Sequence, residues 1–353
     1  MNLGGSMKFV ASYTEDGSIG LYNPEVGDIY HSVGGAYQEA SDKFVEPLGG
    51  DIYSKKSLRC LDICYGMGYN SLALIQKCLD VGYDGELVID FLEFDEEVVA
   101  FSFLAEHKNL SFSLMDFLDF SIFKNRALLD AIYLILDNSS LAQFISPFLR
   151  GFFEENKNSL YGFNGGDIEQ GFLHNIYYKN VSRRYIKNNQ NTQKRLNIRL
   201  VGAIGDARNT IQELDSKYDF VFLDAFTPIK LPTLWSVEFF YKIYHLLKDD
   251  GVITTYSNSA IIRNGMREVG FFLGRTKYGT IAYKQDNINK IPLDDRALGL
   301  LDTRAGIPFY DSNLSSSKEE ILSKREQMVN ASTLLSSSQY FKKFQKRENL
   351  DEK

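Results

Sequence analysis

Short apolar runs that end in acidic residues or glycine are the dominant pattern of this chain. Four such runs lie at residues 58–63, 88–92, 198–204 and 220–223. Each has the length of a strand, and near-continuous apolar character is typical of parallel strands buried on both faces. Segments with helical spacing of apolar residues lie between or after them, at 71–79, 97–106 and 236–248. This alternation predicts an α/β fold with a mainly parallel sheet.

The rest of the chain is expected to extend this core at both ends. Residues 1–50 are predicted to form a small N-terminal β element and an entry helix. Residues 51–285 then form the core, with a helical insertion at about 110–195 and further strands at 251–256 and 281–284, the latter in an edge hairpin. Residues 286–353 form a C-terminal extension and tail, within which 307–311 are expected to return towards the strand ends.

Asp224 is the most informative single residue. It directly follows the apolar run 220–223, and the turn Ala225-Phe226-Thr227-Pro228 comes next, where the proline cannot continue the strand. In open α/β sheets, ligands and chemistry lie at the carboxyl ends of the strands. A carboxylate there suits binding or deprotonating an amine. Capping of the next helix is the alternative, because Asp is a common N-cap residue.

Three other strand ends carry residues that suit a nucleotide-like ligand. Cys64 to Asn70 contains Gly66 and Gly68 and precedes a helix, so the backbone can approach a ligand closely. Glu93 lies roughly 20 residues further on, where an acid binds a ribose diol. Asp206 follows the run 198–204 and is placed to meet an adenine amino group. The acids favour a cationic ligand, namely S-adenosylmethionine, over NAD or a nucleoside triphosphate.

Four segments together resemble one family, the bacterial methyltransferases that complete 5-methylaminomethyl-2-thiouridine at the tRNA wobble position. The segments are residues 16–36, Leu61 to Asn70, Gly205-Asp206-Ala207, and Phe222 to Phe271 with Lys230, Trp235, Thr255-Tyr256-Ser257 and Arg263. The resemblance implies a Rossmann-like fold that uses S-adenosylmethionine to methylate the primary amine of an aminomethyl-uridine.

By the same resemblance, Gly66 and Gly68 line the cofactor, Glu93 holds the ribose, Asp206 meets the adenine and Asp224 serves the reacting amine. The full set expected to bind the cofactor is Asp62, Gly66, Gly68, Asn70, Glu93, Asp206 and Ala207. The set expected to bind the substrate is His31, Phe226, Pro228, Lys230, Trp235, Arg183, Arg184 and Lys187.

The chain departs from the family pattern in two places. The family usually has glycine where this chain has Cys64, so we expect either a changed turn or a small, buried, tolerated side chain. About a hundred residues separate Glu93 from Gly205, more than one helix and one strand need. Some relatives also carry a fused flavin oxidase domain. This chain shows no second glycine fingerprint, and we expect it to be a methyltransferase without that activity.

Composition changes the picture little. The 353 residues are 44% hydrophobic and 24% charged, enough for a substantial core. The three cysteines predict neither a disulfide framework nor a zinc site, and no metal is expected. No apolar stretch approaches the roughly 20 residues of a membrane helix. We expect a monomer in the cytoplasm, with no membrane partner.

A net charge of −7 is unfavourable for RNA binding as a whole, but one stretch is strongly basic. Residues 179–199 contain Arg183, Arg184 and Lys187 and no acid, with Tyr185 among them and Tyr177 and Tyr178 just before them. Such a stretch fits contact with the tRNA anticodon region. A solvated, mobile loop is the alternative, because Asn188 to Asn191 form a polar tract.

Two other functions remain open from the sequence. An aminopropyltransferase of the spermidine synthase type shares the architecture, the Gly-Asp-Ala motif and an Asp at the fifth strand. Its glycine loop is usually richer in glycine and acid than residues 64–68, and its proline loop lacks the Lys230 to Trp235 pattern. A non-catalytic tRNA-binding or cofactor-sensing protein is the second alternative.

Overall fold

The computed structural model describes residues 9–24, 27–29, 34–106, 113–118, 120–162, 185–187, 190–192, 196–286 and 291–351. The chain divides into two compact units, Met1–Gly205 and Asp206–Lys353. Each unit has its own strands, helices and buried apolar residues.

The N-terminal unit opens with the small β element that the sequence predicts. Three antiparallel strands pair in the order β1-β2-β3: Val10–Tyr13, Ile19–Asn23 and Asp28–Ile29. The entry helix follows as α1, Ala36–Ala40, and continues as a π-helical turn, Ser41–Val45, and the 3₁₀ turns Glu46–Leu48 and Asp51–Ser54. The predicted inward positions Ala36, Ala40, Phe44 and Val45 are all buried.

Three parallel strands form the core of this unit. β4 is Ser57–Ile63, β5 is Glu86–Glu93 and β8 is Asn197–Ile204, with β5 between the other two. Helix α2, Tyr69–Asp80, follows β4, and α3, Glu96–Leu104, follows β5. Gly202 faces Phe91 across the β5–β8 pair, where any Cβ would overlap the ring. The close approach of these two strands therefore requires glycine at 202.

The insertion between β5 and β8 is helical in its described part, as predicted. It contains α4, Arg126–Asp137, and α5, Pro147–Gly162, with 3₁₀ turns at Leu114–Phe117, Phe120–Lys124 and Ser139–Phe144. Its phenylalanines mostly pack inward; Phe123, Phe144 and Phe153 are buried. A short antiparallel pair, β6 (Tyr185–Lys187) and β7 (Gln190–Thr192), lies within the basic stretch.

Four strands of the C-terminal unit pair in the order β11-β12-β10-β9. β9 is Tyr218–Leu223, β10 is Leu247–Thr255, β11 is Phe272–Arg275 and β12 is Thr280–Tyr283. β9 and β10 are parallel, with Phe222 opposite Thr254. β11 and β12 form the predicted antiparallel edge hairpin, which pairs with β10. The mainly parallel α/β fold predicted from the sequence is confirmed.

Helices connect and cover these strands. They are α6 (Ala207–Glu213), α7 (Val237–Leu246), α8 (Ala260–Val269), α9 (Asp295–Leu301), α10 (Lys318–Ala331) and α11 (Ser337–Asp351). Helix α8 ends at Gly270, whose φ of 108° allows Phe271 N to bond Met266 O. Helix α10 lies in the C-terminal extension, and a serine-rich segment leads from it into α11.

Candidate functional site

The turn after β4 is a left-handed backbone segment built on two glycines. Gly66 has a φ of 55° and Gly68 a φ of 73°, where a side chain is strained. A Cβ on Gly68 would also lie 2.5 Å from the ring of Tyr65. Gly68 O accepts the amide of Leu72 at 2.8 Å and so starts α2. The predicted strand, glycine turn and helix are present in the N-terminal unit.

Cys64 shows how this chain accommodates its departure from the family pattern. Its φ of 63° is left-handed, a conformation that glycine adopts freely and that costs other residues roughly 1–2 kcal/mol. Its amide donates to Leu92 O at 2.9 Å, which ties the strained residue to β5. The side chain is half-buried rather than fully buried as expected.

Glu93 is bonded directly to the glycine turn. Its Oε2 accepts the amide of Gly66 at 2.8 Å, and its Oε1 accepts the amides of Phe94 and Asp95 at 2.8 and 3.2 Å. Burial raises the pKa of this carboxyl, against the lowering effect of those amides. A carboxylate has about four lone-pair sites. Three are used by the backbone, and acceptor capacity remains for a ligand hydroxyl.

Asp62 and Asn70 lie on either side of the turn, and both are buried. Asp62 is in β4, and its Oδ2 accepts the hydroxyl of Ser71 at 2.7 Å. That bond fixes the first turn of α2 against the strand. The N-terminal unit thus brings Asp62 and Glu93 into hydrogen-bond contact with the segment that carries Gly66, Gly68 and Asn70.

Asp206 is the first residue of the C-terminal unit and the N-cap of α6. Its Oδ1 accepts the amide of Arg208 at 2.9 Å, and its Oδ2 accepts from Arg208 Nη2 at 2.7 Å. Arg208 Nη1 also donates to Asp311 Oδ2 at 3.0 Å, and the Asp311 side chain is fully buried. Ala207 is buried beside the cap. Asp206, the residue predicted to contact the adenine, is therefore held by Arg208, which bridges Asp206 and Asp311.

The segment around Asp311 returns to a strand-end residue, as the sequence predicts. Asp311 Oδ1 accepts the amides of Ser315 and Ser316, both at 3.0 Å. Burial alone would raise the pKa of Asp311, but the bonds from Ser316, Arg208 and Ser315 lower it overall. The ionised form is therefore the one that this segment stabilises.

Asp224 follows β9, a strand whose six residues are all buried, and its own side chain is half-buried. The alternative that Asp224 caps the next helix is wrong. The 3₁₀ turn Pro232–Trp235 has no side-chain cap, and α7 is capped by Ser236, whose Oγ accepts the amide of Phe239 at 3.2 Å. The carboxylate of Asp224 is thus not assigned to helix capping.

The loop after Asp224 turns back on itself and is held by a buried side chain of the C-terminal unit. Thr227 O accepts the amides of Lys230 and Leu231 at 2.8 and 3.0 Å. Phe226, Pro228 and Lys230 are half-buried, whereas Ile229 at the tip is 58% exposed. Trp235 is fully buried, and its indole Nε1 donates to Phe226 O at 2.8 Å. The buried Trp235 side chain therefore binds the backbone of its own loop.

Three residues of these arrangements were not identified as site residues from the sequence: Arg208, Asp311 and Tyr256. Tyr256 Oη donates to Ala225 O at 2.9 Å. Arg208 stands in the first turn of α6, where the helix dipole disfavours a cation. That unfavourable position was the available signal that Arg208 has acidic partners.

Four predicted site positions have no described side chain. His31, Arg183 and Arg184 lie outside the described residues, and Lys187 is described only as part of strand β6. Across the described ranges, no three His, Cys, Asp or Glu side chains are grouped to hold a metal ion. None of the helices described has the length and apolar character needed to cross a membrane.

Part of the chain is similar to a known protein family. The profile of a family described as S-adenosyl-L-methionine-dependent methyltransferase matches residues 169–287, a segment that includes Asp206, Asp224 and Trp235. Over this segment the chain is similar to the S-adenosyl-L-methionine-dependent methyltransferases. S-adenosylmethionine, predicted from the strand-end residues, is its cofactor.

The methyltransferase has relatives of two kinds. It is 28% identical over 323 residues to the uncharacterized protein MJ0670 of Methanocaldococcus jannaschii, covering 89% of this chain and 70% of that protein. It is 39% identical over 67 residues to the tRNA 5-methylaminomethyl-2-thiouridine biosynthesis bifunctional protein MnmC of Azoarcus sp. (strain BH72). That match covers 19% of this chain and 11% of the Azoarcus protein. The predicted family relation is confirmed.

A solved structure supports the fold of the methyltransferase. The crystal structure of MNMC2 from Aquifex aeolicus superimposes with a TM-score of 0.58 at 22% identity. The match covers 93% of this chain and 87% of that protein. At this level of identity the likeness concerns the architecture.

The N-terminal unit holds an acceptor group that suits the cofactor chemically. A ribose offers a hydroxyl donor to the remaining acceptor site of Glu93, which is bonded to the glycine turn through the amide of Gly66. Acidic groups also favour a sulfonium cation and disfavour a pyrophosphate. The residues present therefore fit S-adenosylmethionine.

Proposed function

We propose that this methyltransferase converts 5-aminomethyl-(2-thio)uridine at the tRNA wobble position to 5-methylaminomethyl-(2-thio)uridine. One observation carries the proposal. Asp224 stands at the end of the buried strand β9, is not used as a helix cap, and is followed by a fixed loop within the segment that the family profile matches. The local similarity to the MnmC protein of Azoarcus supports a tRNA aminomethyl-uridine as the substrate.

The cofactor residues are assigned by strand end. Glu93 would accept a ribose hydroxyl, and Gly66 and Gly68 would keep the backbone close to the cofactor. Asp62 and Asn70 would support that turn from their buried positions. Asp206, with Ala207 beside it, would accept the adenine amino group, held in orientation by Arg208.

Asp224 would act on the amine of the substrate. S-adenosylmethionine, when bound, supplies an activated methyl group on a sulfonium, so no metal is required. An alkylammonium has no lone pair and must lose a proton before its nitrogen can attack. The Asp224 carboxylate would hold the amine by a charge-assisted hydrogen bond and accept or relay that proton. Holding the nitrogen in line with the methyl donor supplies much of the remaining rate enhancement.

The substrate base would be met by the loop after Asp224. Phe226 and Pro228 offer apolar surface, and Lys230 offers a cation near the turn at Thr227. The exposed side chain of Ile229 projects at the tip of this loop. His31 belongs to the same proposal as a residue that binds substrate or transfers a proton.

The basic stretch around residues 179–199 would bind the tRNA anticodon region. Replacing Arg183, Arg184 and Lys187 together by alanine should weaken tRNA binding. Each lost phosphate contact should reduce the slope of log affinity against log salt concentration by roughly 0.7–0.9. Affinity for S-adenosylmethionine should stay unchanged, which calorimetry checks. An unaltered salt slope in the triple variant would assign the tRNA surface to other residues.

The reaction is tested with the purified full chain, methyl-labelled S-adenosylmethionine and tRNA that carries 5-aminomethyl-2-thiouridine. Mass spectrometry of the digested nucleosides should show label on the side-chain nitrogen of the wobble nucleoside only. The matched control is the same tRNA with an unmodified wobble uridine, which should stay unlabelled. Absence of label from the aminomethyl nucleoside, or equal labelling of both tRNAs, would contradict the proposal. Transfer of an aminopropyl group from decarboxylated S-adenosylmethionine to a polyamine would point to the alternative enzyme class.

A further inference from the structure

The two backbone carbonyls that directly follow Asp224 are both held by side chains. Ala225 O accepts the hydroxyl of Tyr256 at 2.9 Å, and Phe226 O accepts the indole N–H of Trp235 at 2.8 Å. These side chains come from separate elements. Trp235 ends the 3₁₀ turn Pro232–Trp235, whereas Tyr256 follows β10, the parallel neighbour of β9.

Both holding groups are themselves fixed. The Trp235 ring is fully buried, and it contacts the rings of Tyr256 and Phe240 edge-on, with centroid distances of 6.1 and 6.4 Å. Ser236, the next residue, caps α7 and forms a bridge with Phe309. The Trp235 side chain is therefore held by buried ring contacts and by the capped start of α7 next to it.

We propose that Trp235 and Tyr256 are positioning residues that aim the Asp224 carboxylate by holding the carbonyls of Ala225 and Phe226. The proposal rests on the proposed function in taking Asp224 as the group that serves the amine. Asp224 directly precedes the two held peptides, so their hydrogen bonds restrict the backbone that carries its carboxylate. A small misplacement of a reacting group costs a large factor in rate, and two hydrogen bonds on consecutive peptides limit such movement.

This role differs from substrate contact by Trp235. Its ring is buried and its one donor group already has an acceptor within the loop, so it has no hydrogen bond to offer to a base. The exposed residues of the loop are instead Thr227 and Ile229. The sequence prediction that Trp235 binds substrate thus becomes the proposal that Trp235 shapes the loop.

Trp235→Phe and Tyr256→Phe each remove one hydrogen bond and keep an aromatic ring. Each should lower kcat for methyl transfer about tenfold, while KM for tRNA and the affinity for S-adenosylmethionine stay within about twofold. Tyr340→Phe is the matched control, because Tyr340 Oη also donates to a backbone carbonyl, that of Asp295. That control should keep the kcat of the parent.

Two further measurements separate positioning from general damage and from failure of the proposed function. Hydrogen exchange of the Lys230 and Leu231 amides, which needs no substrate, should accelerate in both variants and not in Tyr340→Phe. In an Asp224→Ala background, adding either substitution should change the residual kcat less than twofold, because both act through Asp224.

The results that overturn the inference are distinct from those that overturn the function. If Asp224→Ala is severely impaired but both variants keep parental kcat and parental exchange, the positioning role is wrong and the proposed function stands. If both variants lower kcat equally in the parent and in the Asp224→Ala background, they act independently of Asp224 and the inference fails. If Asp224→Ala itself keeps parental kcat, the role proposed for Asp224 fails instead.

Discussion

The turn that contains Asp206 and the loop that contains Asp224 are two solutions to fixing an acid at a strand end. Asp206 is fixed through its side chain, since it caps α6 and pairs with Arg208. Asp224 is not a helix cap, and the backbone after it is held by Trp235 and Tyr256. In the proposed roles, Asp206 recognises a neutral amino group and Asp224 exchanges a proton.

The largest loss of stability should come from breaking the ion pairs around Asp206. Arg208→Ala leaves the carboxylate of Asp311 buried without its cation. Loss of one partner of a buried pair costs roughly 3 kcal/mol or more of unfolding free energy. Urea denaturation of the full chain measures this loss. Tyr256→Phe is the comparison variant and should cost only about 1 kcal/mol, because it removes one neutral hydrogen bond and keeps the ring. Equal losses in the two variants would mean that the two regions are not fixed by different forces.

A smaller effect should appear in the acid dependence of the same pair. The pKa of Asp311 is lowered in the folded protein, so its ionised form contributes stability that is present above the unfolded pKa of about 3.9. That contribution is lost as the pH falls through the folded pKa. The difference in unfolding free energy between the parent and Asp311→Asn should therefore shrink from pH 5 to pH 3. A difference that stays constant over this range would show that the charge of Asp311 is not what stabilises the segment.

The sequence predicted the strands of both regions because continuous burial leaves a continuous apolar run, as in β9. The positions of the acids were also predictable, because a carboxylate directly after such a run lies at a strand end, where it caps a helix or meets a ligand. The glycine turn was predictable in the same way, since Gly68 leaves no room for a Cβ beside Tyr65.

The rest depended on contacts that no local pattern encodes. Arg208 and Asp311 are 103 positions apart, and an arginine on a short helix resembles a solvated residue. The hydrogen-bond partner of the Trp235 indole could not be predicted from the sequence either. Tryptophan has an apolar ring and one N–H group, which faces either protein or ligand. Cys64 was expected to be buried. Its left-handed backbone conformation decides its environment instead, and φ cannot be read from a sequence.

The central claim is that Asp206 serves cofactor binding and Asp224 serves the chemistry. The most direct test measures S-adenosylmethionine affinity by calorimetry and single-turnover methyl transfer to aminomethyl-uridine tRNA, for Asp206→Ala and Asp224→Ala in parallel. Asp206→Ala should lose roughly 1–3 kcal/mol of cofactor binding free energy. Asp224→Ala should bind the cofactor like the parent and lose about 100-fold or more in rate at saturating cofactor. A variant of Asp224 that transfers methyl groups at the parental rate, or one that loses cofactor affinity as Asp206→Ala does, would contradict the claim.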